Sequence, residues 1–475
     1  MKAPALERRR TVEPLDFERS VDELFKAGGR FVTLFMARTP ASALTCVFAL
    51  QGELVILQAP VGRDETILSG ELGDTWPAMR RAELELLCSD GCGSQDVRVR
   101  PTTRPDPDLI DSRVSGPDVF VIPFGPVRSG VFEALQFQIE TGGEDVPAVQ
   151  TRLFFKHRAM EAKFVGVGPE AGVHIAERVA GVASVAYGCA FSQAVERALG
   201  VVPPPRAQRW RAIYCELERI ACHLDVIAKE AETTALYVGQ ARFQILKEQA
   251  QRLRARLTGS RFGRGAIVPG GVRAEGSLST GHLRDAIDAL ERDLRRDRRL
   301  FLGTASMTDR LIGAGRLQRE LVERYCAVGA VARGSGVSTD ARHERPYGAY
   351  EHLGLRICTH GDGDSMARVK VRFDELFESL RLIRQAADDL DRADGGLSAP
   401  VPRTGVGAAC GWVEAPQGEL VIWVEITGGA IRNVHIASPS FRNWALFDHA
   451  FPTDVLTDFA FIEHSFGLTV AGADR

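Results

Sequence analysis

Apolar and polar positions alternate differently along the chain, and the pattern divides it. The runs FVTLFMA, ALTCVFAL and ELVILQAP, between residues 31 and 60, have strand length and turn-like flanks. The polar stretch DTWPAMRRAELELLCSDGC, from Asp74 to Cys92, carries a helical pattern. Residues 16–110 therefore read as a small α/β unit. The segment RPTTRPDPDLIDSRVSGPD at 100–118 breaks any regular pattern, because proline lacks an amide donor and fixes φ. A boundary is expected there, with domains at 1–110 and 119–475 and a linker at 111–118.

Beyond the linker, DVFVIPFGPV and ALQFQIET alternate as strands, and a strongly helical region follows. The prolines 203–205 precede a stretch in which Trp210, Ile213, Tyr214, Leu217, Ile220, Ala221, Leu224 and Ile227 recur at spacings of three and four. That is the signature of a long core-facing helix. Further helices are expected at 235–259, stopped by Gly259, and at 279–301, 316–330 and 365–393. From residue 405 the pattern returns to strands, with ELVIWVEI flanked by glycine. The fold class expected is α+β: a small α/β domain followed by a mainly helical domain with peripheral strands.

Composition narrows this picture. With 475 residues, 45% hydrophobic and 25% charged, the chain has the make-up of a soluble protein of two or more domains. No apolar run reaches the length of a membrane span. The opening MKAPALERRR lacks the apolar core of a secretory signal, so cytoplasmic residence is expected. A net charge of −3 exerts no general pull toward nucleic acid, and the basic runs RLRARLTGSRFGRG and LERDLRRDRRLFLG read as solvated faces or protein contacts. The nine cysteines are scattered without a C-x-x-C pair and read as reduced, mostly buried thiols.

Candidate chemistry is sparse. The pairs Glu177-Arg178 and Glu218-Arg219, and Asp340 with Arg342, read from composition as ordinary helix-surface pairs; inside a core each arginine would need a carboxylate. His157 and His223, lone among apolar neighbours, read as hydrogen-bonded core residues. GDGDS at 361–365 reads as a helix cap and PGGVR at 269–273 as a turn. No phosphate loop, nucleophile elbow, zincin motif or dinucleotide fingerprint is present in the sequence. The residues alone give a two-domain protein without a complete catalytic set.

An ordered series of blocks adds to this reading. RLFFKHRAMEAKF, ERVAGVASVAYGCAFSQAVERALG, VPPPRAQRWRAIYCELERIACHL, LTGSRFGRGAIVPGGVR, ARGSGVSTDARHERPYGAY, RVKVRFDELFESL, GWVEAPQGE and SFRNWALF follow one another between residues 152 and 447. Together they resemble the large subunit of formate-hydrogenlyase-type, energy-converting NiFe hydrogenases and, more loosely, the quinone-site large subunit of complex I. The N-terminal WPAMRRAELELLCSDGCG is more weakly similar to the small soluble subunit of complex I. The resemblance implies that four cysteine thiolates would hold nickel and iron. Here Ala180 and Ala183 stand at one pair of ligand positions and Thr469 and Gly472 at the other. Methyl, hydroxyl and hydrogen cannot replace soft thiolates, so nickel-iron hydrogen chemistry is not expected. The ending at Asp474-Arg475 matches processed family members.

Around these positions the resemblance places Glu177, Arg178, Gly181, His157, Arg333, Asp340 and Arg342 in motifs lining or bracing the site; Arg178, Asp340, Arg342 and His157 are the catalytic candidates. Partial collapse of the pocket, refilled by neighbours such as Phe466 or Leu468, is the expectation. In complex I a first hairpin carries quinone-site histidines, whereas this chain has GPVRSGVF, with Arg128 and Phe132 at those positions. The resemblance thus implies a subunit of a membrane-associated oxidoreductase assembly. Such a subunit packs against an iron-sulfur small subunit and antiporter-like membrane partners, binds no cofactor by itself, and is a candidate to reduce quinone. The alternative is a non-catalytic scaffold or regulatory protein that keeps the ancestral interface.

Overall fold

The computed structural model describes residues 7–38, 42–61, 68, 72–88, 119–128, 133–156, 158–273, 278–393 and 395–475. The linker at 111–118, His157 and Phe132 lie outside the described residues. Two compact units emerge: Met1–Ser115 with Glu323–Cys326, and Gly116–Val322 with Ala327–Arg475.

The first unit is built on a four-stranded sheet in the order β1-β4-β3-β2, from β1 (Glu7–Thr11), β2 (Arg30–Ala37), β3 (Ala43–Leu50) and β4 (Glu53–Pro60). The three apolar runs seen in the sequence form β2 to β4, paired antiparallel, and β1 adds in parallel to β4. Helix α1 (Phe17–Lys26) buries Phe17, Val21 and Leu24, three to four residues apart, and Phe25 stacks on Trp76 at 4.1 Å between ring centroids. Helix α2 spans Pro77–Cys88.

The second unit begins with an antiparallel sheet of β5 (Phe120–Phe124), β6 (Gln136–Thr141) and β7 (Ala148–Arg152). Helices α3 (Pro169–Ala176), α4 (Ser184–Leu199), α5 (Pro205–Thr233), α6 (Tyr237–Thr258), α7 (Thr280–Leu302) and α8 (Ser365–Leu390) form its body. Proline at the first helical position of α5 costs no hydrogen bond, since that amide has no partner within the helix. The hairpin of β8 (Ile267–Val268) and β9 (Gly271–Val272) contains the PGGVR turn. Asp364 caps α8 by accepting from the Ala367 amide at 2.7 Å.

A three-stranded sheet follows, β10 (Val406–Ala415), β11 (Gly418–Thr427) and β12 (Ala430–Ala437), antiparallel in sequence order. Strand β10 lies so close to α4 that a Cβ at Gly411 would overlap the Ala190 carbonyl. The chain closes with α9 (Pro439–Phe447), α10 (Phe459–Phe466) and α11 (Val470–Asp474).

One expected helix is not continuous. The 316–330 segment contains a short helix at Arg319–Arg324, and another begins only at Gly329. Cys326 at φ 51° and Gly329 at φ 70° place left-handed backbone between them, which a right-handed helix cannot pass through.

Candidate functional site

Helix α5 carries Glu216, Arg219, His223 and Glu230, and α8 carries Arg368, Arg372, Glu375 and Ser379, all buried. Spacings of three, four and seven put each series on one helix face. The two faces meet with opposite chain directions. Ser379 Oγ donates to Glu216 at 2.6 Å, and His223 Nε2 lies 2.8 Å from Glu375. At the far end Arg372 and Arg368 are the charges that act on Glu230.

The residues 333–342 and β10 complete the seam. Arg333 donates to Glu375 at 2.7 Å, to Glu414 at 2.8 Å and to the Thr339 carbonyl at 2.7 Å. Arg342 grips Asp340 through two nitrogens, at 3.0 and 2.7 Å, and reaches Glu216 at 2.9 Å. Arg219 donates to Glu216 at 3.1 Å and to the Ala415 carbonyl at 3.1 Å. The Tyr350 hydroxyl donates to Glu216 as well. Carboxylates stripped of water need this density of charged donors.

The buried acids fall into two sets. Burial pushes Glu216 up, but Arg342 and Arg219 outweigh it and bring the carboxyl down to about 2. Glu375 is likewise held well below the carboxylate range: burial opposes this, and Arg333 and His223 prevail. Burial itself lowers His223 to about 4 despite its bond to Glu375, so the imidazole is neutral at neutral pH. In the second set burial wins. Glu218 rises to about 7, although Arg254 and two backbone amides oppose the shift. Glu230 rises well above its ordinary value, and neither of its oxygens has a hydrogen-bond partner. Glu177 is also raised by burial, partly offset by the Gly265 amide and His174.

Glu218 and Glu177 bracket the loop that ends α3 and starts α4. The Glu218 carboxylate accepts from the Val185 and Ala186 amides at 2.7 and 2.9 Å, at the N-terminus of α4. Glu177 accepts from the Gly265 amide at 2.7 Å. Between them Ala180 and Ala183 are fully buried. Arg158 connects this loop to the last turn of the chain, donating to the Val179 carbonyl at 2.5 Å and the Ala471 carbonyl at 2.6 Å. The two segments singled out by resemblance, 180–183 and 469–472, are therefore brought together.

Thr469 donates its hydroxyl to Glu133 at 2.7 Å, and the same carboxylate accepts from the Val470 and Ala471 amides at 2.7 and 2.9 Å. A Cβ at Gly472 would sit 3.0 Å from Ser438 Oγ, 3.1 Å from Thr469 Cγ2 and 3.2 Å from Tyr187 Oη. The four positions thus offer two methyl groups, a hydroxyl already engaged and a crowded glycine. That donor set does not fit a thiolate-held metal centre. Among the described residues, no group of three or more His, Cys, Asp or Glu side chains is placed to hold a metal ion.

Asp340 and Arg342 lie inside the ionic block with Arg333. Arg178 does not: its side chain is 54% exposed, 4.0 Å from Glu177, and it donates to the His174 carbonyl. Surface pairing therefore describes Arg178 but not Glu218-Arg219 or Asp340 with Arg342, which are buried. Each of those two arginines gains a core carboxylate, which sequence periodicity cannot reveal. His223 is the hydrogen-bonded core histidine expected. Arg128 is buried against Glu463 through two bonds of 2.8 and 2.7 Å, with Phe124 and Phe137 each 5.1 Å from its guanidinium. Phe466 packs on Phe447 at 5.2 Å and beneath Arg368. Sequence reading missed Glu216, Glu230, Glu375, Glu414, Arg158, Glu133 and Tyr187. The charged stripes on α5 and α8 were the available signal for the first three.

Comparison with known proteins places this architecture. The respiratory-chain NADH dehydrogenase 49 Kd subunit family matches residues 231–404. A carbon monoxide-induced hydrogenase of Rhodospirillum rubrum is 30% identical over 366 residues, covering 75% of this chain and 99% of that protein. The chain belongs to this family of hydrogenase and NADH dehydrogenase subunits. Other members include formate hydrogenlyase subunit 5 of Escherichia coli (strain K12), 28% identical over 85% of this chain and 70% of its own length. An NADH-quinone oxidoreductase subunit of Desulfotalea psychrophila is 28% identical over 75% of this chain and 97% of its own. The family fold also appears in a solved membrane-bound sulfane sulfur reductase, an archaeal respiratory membrane complex, with a TM-score of 0.70 and 24% identity over 75% of this chain and 99% of that one. Among the described residues no helix is long and apolar enough to cross a membrane.

Proposed function

We propose that this chain is a subunit of a membrane-associated, hydrogenase-like or complex I-like oxidoreductase assembly, without a nickel-iron centre of its own. In this reading it packs against an iron-sulfur small subunit and lies on the cytoplasmic side of the membrane, held there by membrane partners. Quinone is the acceptor, by analogy with the NADH-quinone oxidoreductase relatives. The observation that carries the reading is the pairing of the 180–183 and 469–472 segments by Arg158, with no thiolate at any of the four positions.

The residues present supply proton handling rather than metal ligation. Glu218, with a pKa of about 7 at the start of α4, exchanges its proton near neutral pH. The locked block of Arg333, Arg342, Glu216 and Glu375 keeps its charges and orients the surrounding helices. Together they adjust the electrostatics felt by a redox group on a neighbouring subunit.

Purification from the native membrane with its partners tests this. The expected result is an iron-sulfur protein in stoichiometric association and quinone reduction by the intact assembly. A chain recovered alone, or one carrying stoichiometric nickel, overturns it. Assembly with no redox activity leaves the scaffold reading in its place.

A further inference from the structure

A second site lies beside the seam, sharing α5 and Tyr350 with it, and it is independent of the function proposed above. A cavity of about 200 Å3 opens between α4, α5 and the turn at 347–350, with Cys189 and Cys215 both on its wall. Cys189 belongs to α4 and Cys215 to α5, so the two thiols reach the same cavity from neighbouring helices. Both are thiols, only 2% and 4% exposed, so the cavity is their route to small solutes.

The surroundings make the two sulfurs unequal. Gln193 Nε2 lies 3.6 Å from Cys189 Sγ and donates to it. Arg211, held by Glu196 at 3.0 Å, adds a positive charge beside the pair. The Cys215 thiol draws Cys189 below the ordinary thiol range; burial opposes the shift and Arg211 assists it. Cys215 is pushed well above that range by the neighbouring Cys189 thiol and by burial. By contrast, burial raises Cys222 and Cys358 to about 12. A thiol that ionises readily, next to a second thiol, is the arrangement thiol–disulfide exchange requires.

We propose that Cys189 and Cys215 are a redox-active dithiol, oxidised to a disulfide that bridges α4 and α5 by a small aliphatic disulfide entering this cavity. The Cys189 thiolate attacks one sulfur of the incoming disulfide, forming a mixed disulfide and expelling one thiolate. Cys215 then loses its proton, and its sulfur attacks Cys189, expelling the second thiolate. The protein gives up two electrons and two protons, and the small disulfide leaves as two thiols. The cavity is smaller than ordinary ligand pockets of about 300–1,000 Å3, which favours short disulfides over bulky ones.

The test treats the full chain, in the assembly in which it purifies, with hydroxyethyl disulfide under native conditions. Alkylation and peptide mass spectrometry then follow. The expected product is a Cys189–Cys215 cross-linked peptide with loss of two alkylatable thiols, formed faster than with glutathione disulfide. Cys215→Ser should stop the reaction at a hydroxyethyl adduct on Cys189, and Cys189→Ser should abolish modification of the pair. Three results would each overturn the proposal: both thiols unmodified in the wild-type chain, a wild-type adduct on Cys189 that never resolves, or first attack at Cys215. The wild-type arm decides even where a serine variant fails to fold.

Discussion

The interior around Arg333 and the interior around Ala180 are built on opposite rules. Near Arg333 side chains answer side chains: three arginines are set among Glu216, Glu375, Asp340 and Glu414 at distances of 2.7 to 3.1 Å. Near Ala180 most of the partners are main-chain groups. Arg158 holds carbonyls, while Glu133, Glu177 and Glu218 hold amides. In the first region arginines hold Glu216 and Glu375 low although burial and Asp340 raise Glu414; in the second, burial raises both Glu177 and Glu218. The contrast teaches that bracing and ligation are separable. Four positions have side chains unable to bind metal as thiolates do, while the ionic block is intact.

Replacing Arg333 by methionine should break the comparison hardest. It leaves Glu375 and Glu414 buried without their main cation, a loss of about 3–5 kcal/mol in chemical denaturation. A cost under about 1 kcal/mol would mean the block does not act as a unit.

Glu218 sharpens the other side. Its carboxyl binds a proton more tightly folded than unfolded, with a folded pKa of about 7 against an ordinary 4.5. The stability it contributes is complete below pH 4.5, declines through that window and is gone above about 7. Glu218→Gln should remove about 3 kcal/mol of that pH-dependent difference, measured by denaturation at pH 5 and pH 8 in both chains. An unchanged pH profile would assign the slope to other groups.

Gly472→Ala tests how tightly the second region is filled. Its new methyl meets Ser438, Thr469 and Tyr187 at 3.0 to 3.2 Å, and a cost of about 1–3 kcal/mol is expected; an unaltered melting temperature would show the space to be yielding. Asp364→Ala, at the cap of α8 outside both regions, should cost only about 1 kcal/mol. A larger loss would show that its second bond, from the Gly313 amide at 2.8 Å, matters more than the cap.

Elements were legible wherever pattern and punctuation agreed. Helix α5 follows its proline run and apolar spacing, α8 follows its aspartate cap, and β2 to β4 coincide with the three apolar runs. The 316–330 helix failed because nothing in its composition announces that Cys326 adopts φ 51°. The candidate site was half legible. Block order pointed to the 180–183 and 469–472 segments, but a carbonyl held by Arg158 leaves no mark in a side-chain pattern. Burial was the larger gap. Glu218-Arg219 looks like a solvated pair in the sequence, whereas the fold buries Arg219 on Glu216, with Ser379 of α8 across from it.

The facing stripes of α5 and α8 also have a mechanical meaning. Sliding one helix past the other by a turn would part Ser379 from Glu216 and His223 from Glu375 at once, stranding several ions in hydrocarbon. Gradual creep is thereby forbidden. The two helices are coupled in register, like meshed teeth.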